Sequence, residues 1–217
     1  AGSHDLIRFY NLDLQNTSSA NDYIVNFNVE GTVGEILIDN CNISKTRGVV
    51  RVQSDGAKGA IGSINIDNCV LTDIGSYGVL QTKVSGFTLN SVSLSNSTVN
   101  TLSAGGVLVT QQNNVHISID ACTFYNCVAT GKSFIDINKM SNVTVDVKNT
   151  IIGQLYSYTA ESTIKATSVK GIATTTNLFT TTDCPYNSGY EWGEILSVSS
   201  TELFVNPAEG DFHIQSA

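Results

Sequence analysis

The chain is short of basic side chains. Its 217 residues include 11 lysines and arginines against 19 aspartates and glutamates, which gives a net charge of −8. Nucleic-acid surfaces need clustered basic residues to displace counterions, so this composition disfavours a nucleic-acid partner. A strongly anionic sugar is also disfavoured, unless calcium bridges the charges. Neutral polymers therefore remain the favoured class of partner.

Long apolar runs, a signal sequence and metal-ligand spacing are also missing. No stretch is long enough to cross a bilayer, which argues against a membrane partner, and no leader precedes the first strand. The five cysteines lack the close pairs that zinc sites show, and an odd number cannot all pair within one chain. We read Cys127 and Cys184 as thiols, and a disulfide between some pair of the cysteines is the alternative. We assign no catalytic residue and no metal site.

The chain does have a repeat of about 28 residues, the length of a solenoid coil. Five phrases alternate apolar and polar residues, and each ends in a small residue, at positions 41, 69, 97, 122 and 150. The phrases are Ile36-Leu-Ile-Asp-Asn-Cys41, Ile64-Asn-Ile-Asp-Asn-Cys69, Val92-Ser-Leu-Ser-Asn-Ser97, Ile117-Ser-Ile-Asp-Ala-Cys122 and Val145-Asp-Val-Lys-Asn-Thr150. Alternation with period two indicates strands whose apolar side chains face one side.

A second alternating run follows each phrase after a polar turn. On this second strand we expect the outward positions to be Arg51, Leu80, Leu108, Asp136 and Lys165. Two or three short strands per repeat predict an all-β fold, a right-handed parallel β-helix of about six to seven coils.

The end of each phrase predicts a sharp corner. Asparagine tolerates the left-handed backbone conformation, and it stands at the same place in four of the five phrases. The remaining phrase, which ends at Cys122, has Ala121 there. Stacked corners about 4.8 Å apart would bring these amides into a ladder. The next position holds Cys41, Cys69 or Cys122, or else Ser or Thr, and this predicts a small, nearly buried side chain.

One β-helix domain is expected over 5–217. Residues 1–4, Ala1-Gly-Ser-His4, resemble the remnant of a cloned tag, and we expect the chain to be a piece of a larger protein. Within the domain, 5–30 forms an irregular first coil and cap, 31–170 the regular coils, and 171–217 the last coil and cap. Atypical ends are expected, because a solenoid must cap its exposed strands.

The ending Phe204-Val-Asn-Pro-Ala-Glu-Gly-Asp-Phe-His-Ile214 resembles a terminal motif of secreted β-helix proteins of gut Bacteroidota, in the pectate-lyase-like superfamily. With its Asp-Asn-Cys corners and small size, the chain looks most like the β-helical carbohydrate-binding modules of xylan-degrading enzymes. This resemblance implies a secreted or cell-surface bacterial protein whose signal sequence lies outside this chain. It also implies a covalently linked catalytic domain, a xylan-type glycan partner and a monomer.

An enzyme is the main alternative, namely a calcium-dependent pectate or uronate lyase. A lyase needs a base for the C5 proton and a cation to neutralise the carboxylate. Lys139 near Asp136 is the one pair that we single out for this chemistry. Asp39 and Asp67 are expected on neighbouring rungs, where they are candidate ligands of a structural calcium ion. No other cofactor is expected.

Aromatic residues carry the binding hypothesis. Sugar rings lie flat on Tyr or Trp, with amides and carboxylates binding their hydroxyl groups. A polar loop near the end holds three candidates, and turns hold four more that we expect to line one side of the solenoid. The candidates are Trp192, Tyr190, Tyr186, Tyr156, Tyr158, Tyr125 and Tyr77.

The sequence thus predicts a module that binds xylan or a related β-linked hemicellulose without cleaving it. A structural or adhesive surface module is a third class, favoured by the Ser and Thr content and by four Asn-X-Ser/Thr triplets, at Asn16, Asn42, Asn96 and Asn142. Fold alone does not decide among the three.

Overall fold

The chain winds into a parallel β-helix with three strands per coil, which confirms the predicted all-β solenoid. The computed structural model describes residues 2–17, 22–28, 30–52, 58–82, 84, 86–103, 106–129, 132–137, 140–157, 165–167, 173–185 and 193–216. Within these residues, six coils carry all three strands, and a seventh coil begins at residue 173.

Sheet one stacks the first strand of every coil. Its strands pair in parallel with direct register, so that Ile36 lies opposite Ile64 and Ile64 opposite Val92. The strands are β1 (Gly2–Tyr10), β4 (Gly31–Asp39), β7 (Gly59–Asp67), β10 (Phe87–Ser95), β13 (His116–Asp120), β16 (Thr144–Ile152) and β19 (Ala173–Thr180).

Sheet two follows sheet one around the asparagine corner. It consists of β2 (Asp13–Gln15), β5 (Asn42–Ser44), β8 (Val70–Ile74), β11 (Thr98–Leu102), β14 (Thr123–Ala129) and β17 (Leu155–Tyr156). Strand β16 continues around the corner and pairs with both β13 and β14, so the two faces form one sheet of 14 strands.

Sheet three has six strands, each of which closes one coil. Its strands are β3 (Tyr23–Phe27), β6 (Gly48–Val52), β9 (Leu80–Thr82), β12 (Leu108–Thr110), β15 (Ser133–Asp136) and β18 (Lys165–Thr167).

The last segment leaves the regular winding. It contains β20 (Glu194–Ile195), the single helical turn α1 (Ser200–Leu203), β21 (Phe204–Asn206), a 3₁₀ turn over Pro207–Glu209 and β22 (Asp211–Ile214). Strands β21 and β22 pair in antiparallel fashion, and we call the segment 204–214 the C-terminal hairpin.

The core is one continuous apolar column enclosed by the three sheets. The apolar residues that the alternation directs inward are buried, as predicted, including Ile36, Ile64 and Ile117. Phe124 and Phe134 meet edge to face across the column, with their ring centroids 4.7 Å apart. Alternate side chains of each strand thereby build the core from every coil in turn.

The predicted register of sheet three was wrong for three of the five residues, Leu80, Leu108 and Lys165. The backbone pairing sets Lys165 opposite Ser133 and not opposite Asp136. Leu80 and Leu108 are buried in the core, although the sequence placed them outward beside Arg51. The observed register instead sets Arg51 opposite Gln81. The sequence prediction assumed strict alternation, which fails where the turn enters the strand. There two adjacent apolar residues are both buried, as in Val79-Leu80.

The first strand of the chain is part of sheet one. Strand β1 pairs with β4 along its whole length, and residues 2–4 form part of that strand, with His4 opposite Val33. No helix in the described ranges is long and apolar enough to cross a bilayer.

Candidate functional site

Three of the seven predicted aromatic residues lie in the described part of the chain. Tyr77, Tyr125 and Tyr156 do not share one row, because each has a different position within its coil. Tyr125 lies opposite Asn100 on sheet two, while Tyr156 lies opposite Ala129. The other four predicted residues lie outside the described residues: Tyr158, Tyr186, Tyr190 and Trp192.

Tyr125 lies beneath the C-terminal hairpin. Its side chain is buried, and its ring centroid is 5.6 Å from that of Phe212. Its hydroxyl group donates a hydrogen bond of 3.4 Å to Gln154 Oε1. Burial raises the pKa of the Tyr125 hydroxyl, and the nearby charge of Asp183 adds to this effect. Tyr125 therefore supports the hairpin as a packed neutral ring.

The C-terminal hairpin is held onto the solenoid by aromatic packing. Phe204 is buried, and the Phe212 ring meets it edge to face at 5.3 Å. Gly210 turns the chain with a φ of +84°, a conformation that suits glycine. A side chain at this position would approach the amide of Asn100 on β11, so the turn lies over sheet two.

A groove of about 530 Å³ lies between the hairpin and sheet two. Thr98 and Thr123 contribute one wall and lie opposite one another on adjacent strands. The hairpin contributes the other wall, through Glu209, Asp211, Phe212 and His213. We call this feature the C-terminal groove. Its volume lies in the range of small-molecule and oligosaccharide subsites, roughly 300–1,000 Å³.

The groove is acidic. Asp211 Oδ1 lies 2.6 Å from His213 Nδ1 and also accepts the backbone N–H of His213. The hydrogen bond to the His213 side chain is the main cause that lowers the pKa of the Asp211 carboxyl. Glu209 lies exposed beside it. The groove therefore presents carboxylate acceptors at neutral pH and disfavours an anionic ligand.

The groove offers the groups that bind a sugar. Carboxylate oxygens accept hydrogen bonds from sugar hydroxyl groups, threonine hydroxyls donate and accept, and a half-buried ring packs against C–H faces. Thr98 and Thr123 repeat the same hydroxyl on two consecutive rungs, about 4.8 Å apart, with Val70 and Ile151 on the rungs to either side. Two successive sugar units running along the solenoid would therefore meet the same group.

One comparison with known proteins found a match, to part of the chain. Residues 117–217 match a family described as a domain of unknown function, DUF5123. The matched segment holds Thr123, Tyr125 and the whole hairpin, and it covers less than half of the chain. No curated protein and no solved structure matches the sequence.

Asp39 and Asp67, the two candidate calcium ligands, have hydrogen-bond partners on neighbouring rungs. Asp39 Oδ2 accepts a hydrogen bond of 3.3 Å from Arg8, and Asp67 Oδ1 accepts bonds from Ser95 and Asn96. Among the residues that the structure describes, no group of three acidic, histidine or cysteine side chains is placed to hold a metal ion. Asp136 is half-buried at the end of β15, whereas Lys139 lies outside the described residues.

The groove itself was not foreseen from the sequence. The ending that contains Asp211, Phe212 and His213 resembles a terminal motif, but nothing in its spacing shows that it folds back over sheet two. A repeat pattern predicts only what the repeats do, and the hairpin lies outside them. The one available signal was the Asn-Pro and Glu-Gly turn residues after Val205, which are typical of a reversal of the chain.

Proposed function

We propose that the protein is a non-catalytic carbohydrate-binding module that recognises a neutral β-linked hemicellulose, with xylan as the first choice. The observation that carries the proposal is the C-terminal groove, where repeated hydroxyl groups, carboxylate acceptors and an aromatic ring face one another. The carboxylates of the groove favour a neutral polymer over a uronate polymer, since like charges would repel.

The biological setting follows from this ligand. A plant cell-wall polysaccharide is met outside the cell, so the module would act in a secreted or cell-surface protein. We propose that it is joined to a glycoside hydrolase and raises the local concentration of that enzyme on its substrate. The covalent link then supplies avidity without new contacts in the catalytic site.

Affinity gel electrophoresis tests the proposal. The native protein is run through gels that contain xylan, glucomannan, β-glucan or polygalacturonate, with and without calcium, and the same mixtures are analysed for products. Retardation by a neutral glycan without new reducing ends is expected. Calcium-dependent unsaturated products from polygalacturonate would establish the lyase alternative instead, and neither retardation nor products would favour the adhesive class.

Variants then locate the site. Thr123→Val removes one groove hydroxyl at nearly constant volume and should weaken retardation several-fold, at the level of one lost hydrogen bond. Thr32→Val, on an exposed strand position of β4, is the matched control and should leave retardation unchanged. Trp192→Ala tests the aromatic loop, where loss of retardation with an unchanged thermal transition would make Trp192 a sugar contact. Wild-type retardation in both the Thr123 and the Trp192 variants would contradict a site at this end.

A further inference from the structure

A second surface cluster joins the first three coils on sheet three. We call it the basic–aromatic patch, and it consists of Tyr23, Arg47, Arg51 and Tyr77. Tyr23 begins β3, Arg47 precedes β6, Arg51 lies within β6 and Tyr77 lies in the turn before β9. All four side chains are half-buried. The patch lies outside the segment that matches the domain family, which begins at residue 117.

The tyrosine rings hold both arginines in place. The Arg51 Cζ atom lies 4.1 Å from the Tyr77 ring centroid and 5.0 Å from that of Tyr23, and Arg51 Nη1 donates a hydrogen bond of 2.6 Å to the Tyr23 hydroxyl. Arg47 Cζ lies 4.6 Å from the Tyr77 centroid. The two rings meet at 5.6 Å with an interplanar angle of 71°. Both guanidinium groups therefore contact the Tyr77 ring.

The charge of the patch is not neutralised by the described residues. Among them, neither Arg47 nor Arg51 makes an ion pair, whereas Arg8 pairs with Asp39 at 3.3 Å. The carboxylate of Asp22, which precedes β3, accepts a hydrogen bond of 2.7 Å from Asn16. Two of the three arginines in a chain of net charge −8 thus gather at one half-buried position. Like charges held close repel, and a bound anion would relieve that repulsion.

The geometry leaves the right groups free for a carboxylate. A guanidinium has five N–H groups in its plane, and stacking on a ring uses only its face. Arg51 donates through Nη1 to the Tyr23 hydroxyl and Arg47 through Nη2 to the Tyr77 hydroxyl at 3.5 Å, so each keeps further N–H groups for a fork of two hydrogen bonds. Partial burial strengthens such a pair, and the rigid rings lower the entropy lost on binding. The side chain of Gln81, opposite Arg51 on the next strand, places an amide beside the same position.

We propose that the basic–aromatic patch binds the carboxylate of a uronic acid residue, as a second glycan site separate from the C-terminal groove. That the carboxylate belongs to a sugar rests on the proposed function; that the patch takes a carboxylate rests on the arginine geometry alone. The acidic groove and the basic patch then divide the ligand, since the groove takes neutral sugar units and the patch takes acidic ones.

Nuclear magnetic resonance of the arginine Nε–H groups tests this site directly, because the chain has only three arginines. The probes are xylotetraose carrying one glucuronic acid side group, xylotetraose itself, and a short acidic peptide. The acidic oligosaccharide should shift the Arg47 and Arg51 signals and leave that of Arg8 in place. Xylotetraose should shift none of the three.

Calorimetry with variants gives the second readout. Arg47→Met and Arg51→Met should each lower the affinity for the acidic oligosaccharide at least about tenfold, as is typical for loss of a charged hydrogen-bond pair. Arg51→Lys keeps the charge but loses the fork, and should recover only part of the affinity. Arg8→Met is the matched control, since Arg8 also stacks on a tyrosine, with Cζ 4.4 Å from the Tyr10 centroid, and it should have no effect.

The two proposals fail in different ways. If xylotetraose binds while the acid-bearing form binds no better and moves neither arginine signal, the patch proposal is overturned and the groove stands. If the acid-bearing form moves Arg47 and Arg51 while xylotetraose does not bind at all, the patch stands and the neutral-glycan function fails. Equal binding of the acidic peptide would overturn the assignment to a sugar.

Discussion

Seven residues at the corner between sheets one and two adopt the left-handed backbone conformation, with φ between 49° and 57°. They are Asn11, Asn40, Asn68, Asn96, Ala121, Asn149 and Asn177. In three of the stacked pairs the amide donates to the preceding one, as from Asn68 Nδ2 to Asn40 Oδ1 at 3.0 Å, whereas Asn96 Nδ2 donates to Asp67 Oδ1. At Ala121 the ladder is interrupted, and the neighbouring amides turn to carboxylates instead, as from Asn149 Nδ2 to Asp120 Oδ1.

Ala121→Asn should stabilise the protein. Alanine lacks the local hydrogen bonds that make the left-handed conformation tolerable, and the position is exposed, so an amide there completes the ladder. We expect the free energy of unfolding to rise by about 0.5–1 kcal/mol, measured by urea denaturation. Asn68→Ala, the reverse change at an intact rung, should lower it by a similar amount. Equal stability of both variants would show that the ladder contributes nothing.

The five described cysteines are all buried and free, as we expected for thiols. Burial raises the pKa of Cys69 to about 11 and that of Cys122 and Cys127 to about 12. The folded state therefore keeps these protons at pH values where the unfolded state loses them. The contribution of these thiols to the free energy of unfolding should be constant below about pH 9 and fall as the pH rises toward about 12.

Denaturation at a series of pH values from neutral to alkaline checks this expectation. A variant with both Cys69→Ser and Cys122→Ser should still fold, because Ser97 and Thr150 occupy the equivalent rungs and donate to backbone carbonyls in the same way as the thiols. Its stability should fall less steeply between neutral and alkaline pH. A slope as steep as that of the wild type would assign the alkaline loss to other groups.

The corner residues and the rungs beside them were predictable from the sequence because each rung repeats the same physical demand. A left-handed corner selects asparagine, and the small space inside it selects Cys, Ser or Thr. The contacts of Tyr77 were not predictable, because they join residues from three coils through side-chain directions that the register alone does not give.

At the scale of elements, the solenoid and the C-terminal hairpin are joined through one carboxylate. Asp183 follows β19 and accepts hydrogen bonds from the backbone N–H of Ser200 at 3.1 Å, from its hydroxyl at 2.9 Å, and from the hydroxyl of Thr181 at 2.5 Å. Ser200 Oγ also accepts the backbone N–H of Gln154 at 2.7 Å. The helical turn that leads into the hairpin is thus tied to two coils at once.

Asp183→Ala should loosen this end of the molecule. Removing the carboxylate leaves the backbone N–H of the buried Ser200 without its acceptor, which costs about 1–3 kcal/mol. Hydrogen exchange of Phe204–Ile214 should accelerate, and xylan retardation should weaken although Asp183 does not line the groove. Glu194→Ala, at an exposed carboxylate of β20, is the control and should change neither. Unchanged exchange in the Asp183 variant would mean that aromatic packing alone holds the hairpin.

The elements divide into those that periodicity predicts and those that it does not. Sheets one and two followed their phrases closely, whereas sheet three was shifted at Leu80 and Leu108 because adjacent apolar residues hide the alternation. The hairpin has no copy elsewhere in the chain, so no internal comparison could show where it packs. The wall of the groove that comes from sheet two was implicit in the repeat, and the wall from the hairpin was not.

At the scale of the whole molecule, strand pairing in the described part of the chain is one-dimensional, since each coil pairs with the coils before and after it. Interior coils are supported on both sides, so their amides should exchange most slowly. We expect exchange to be slowest in β7, β10 and β13 and faster in β1, β2 and β3, measured by mass spectrometry after proteolysis. Uniform protection along the chain would instead indicate a single cooperative unit.

Because every corner restores the same backbone conformation, each coil begins and ends in an equivalent state. One repeat of about 28 residues could therefore be duplicated or deleted as a cassette without changing how its neighbours pair. Such an event would lengthen or shorten the distance between the basic–aromatic patch and the C-terminal groove by one rung, about 4.8 Å. Proteins that descend from one ancestral chain would then differ in the distance between the two sites while keeping the patch and the groove themselves.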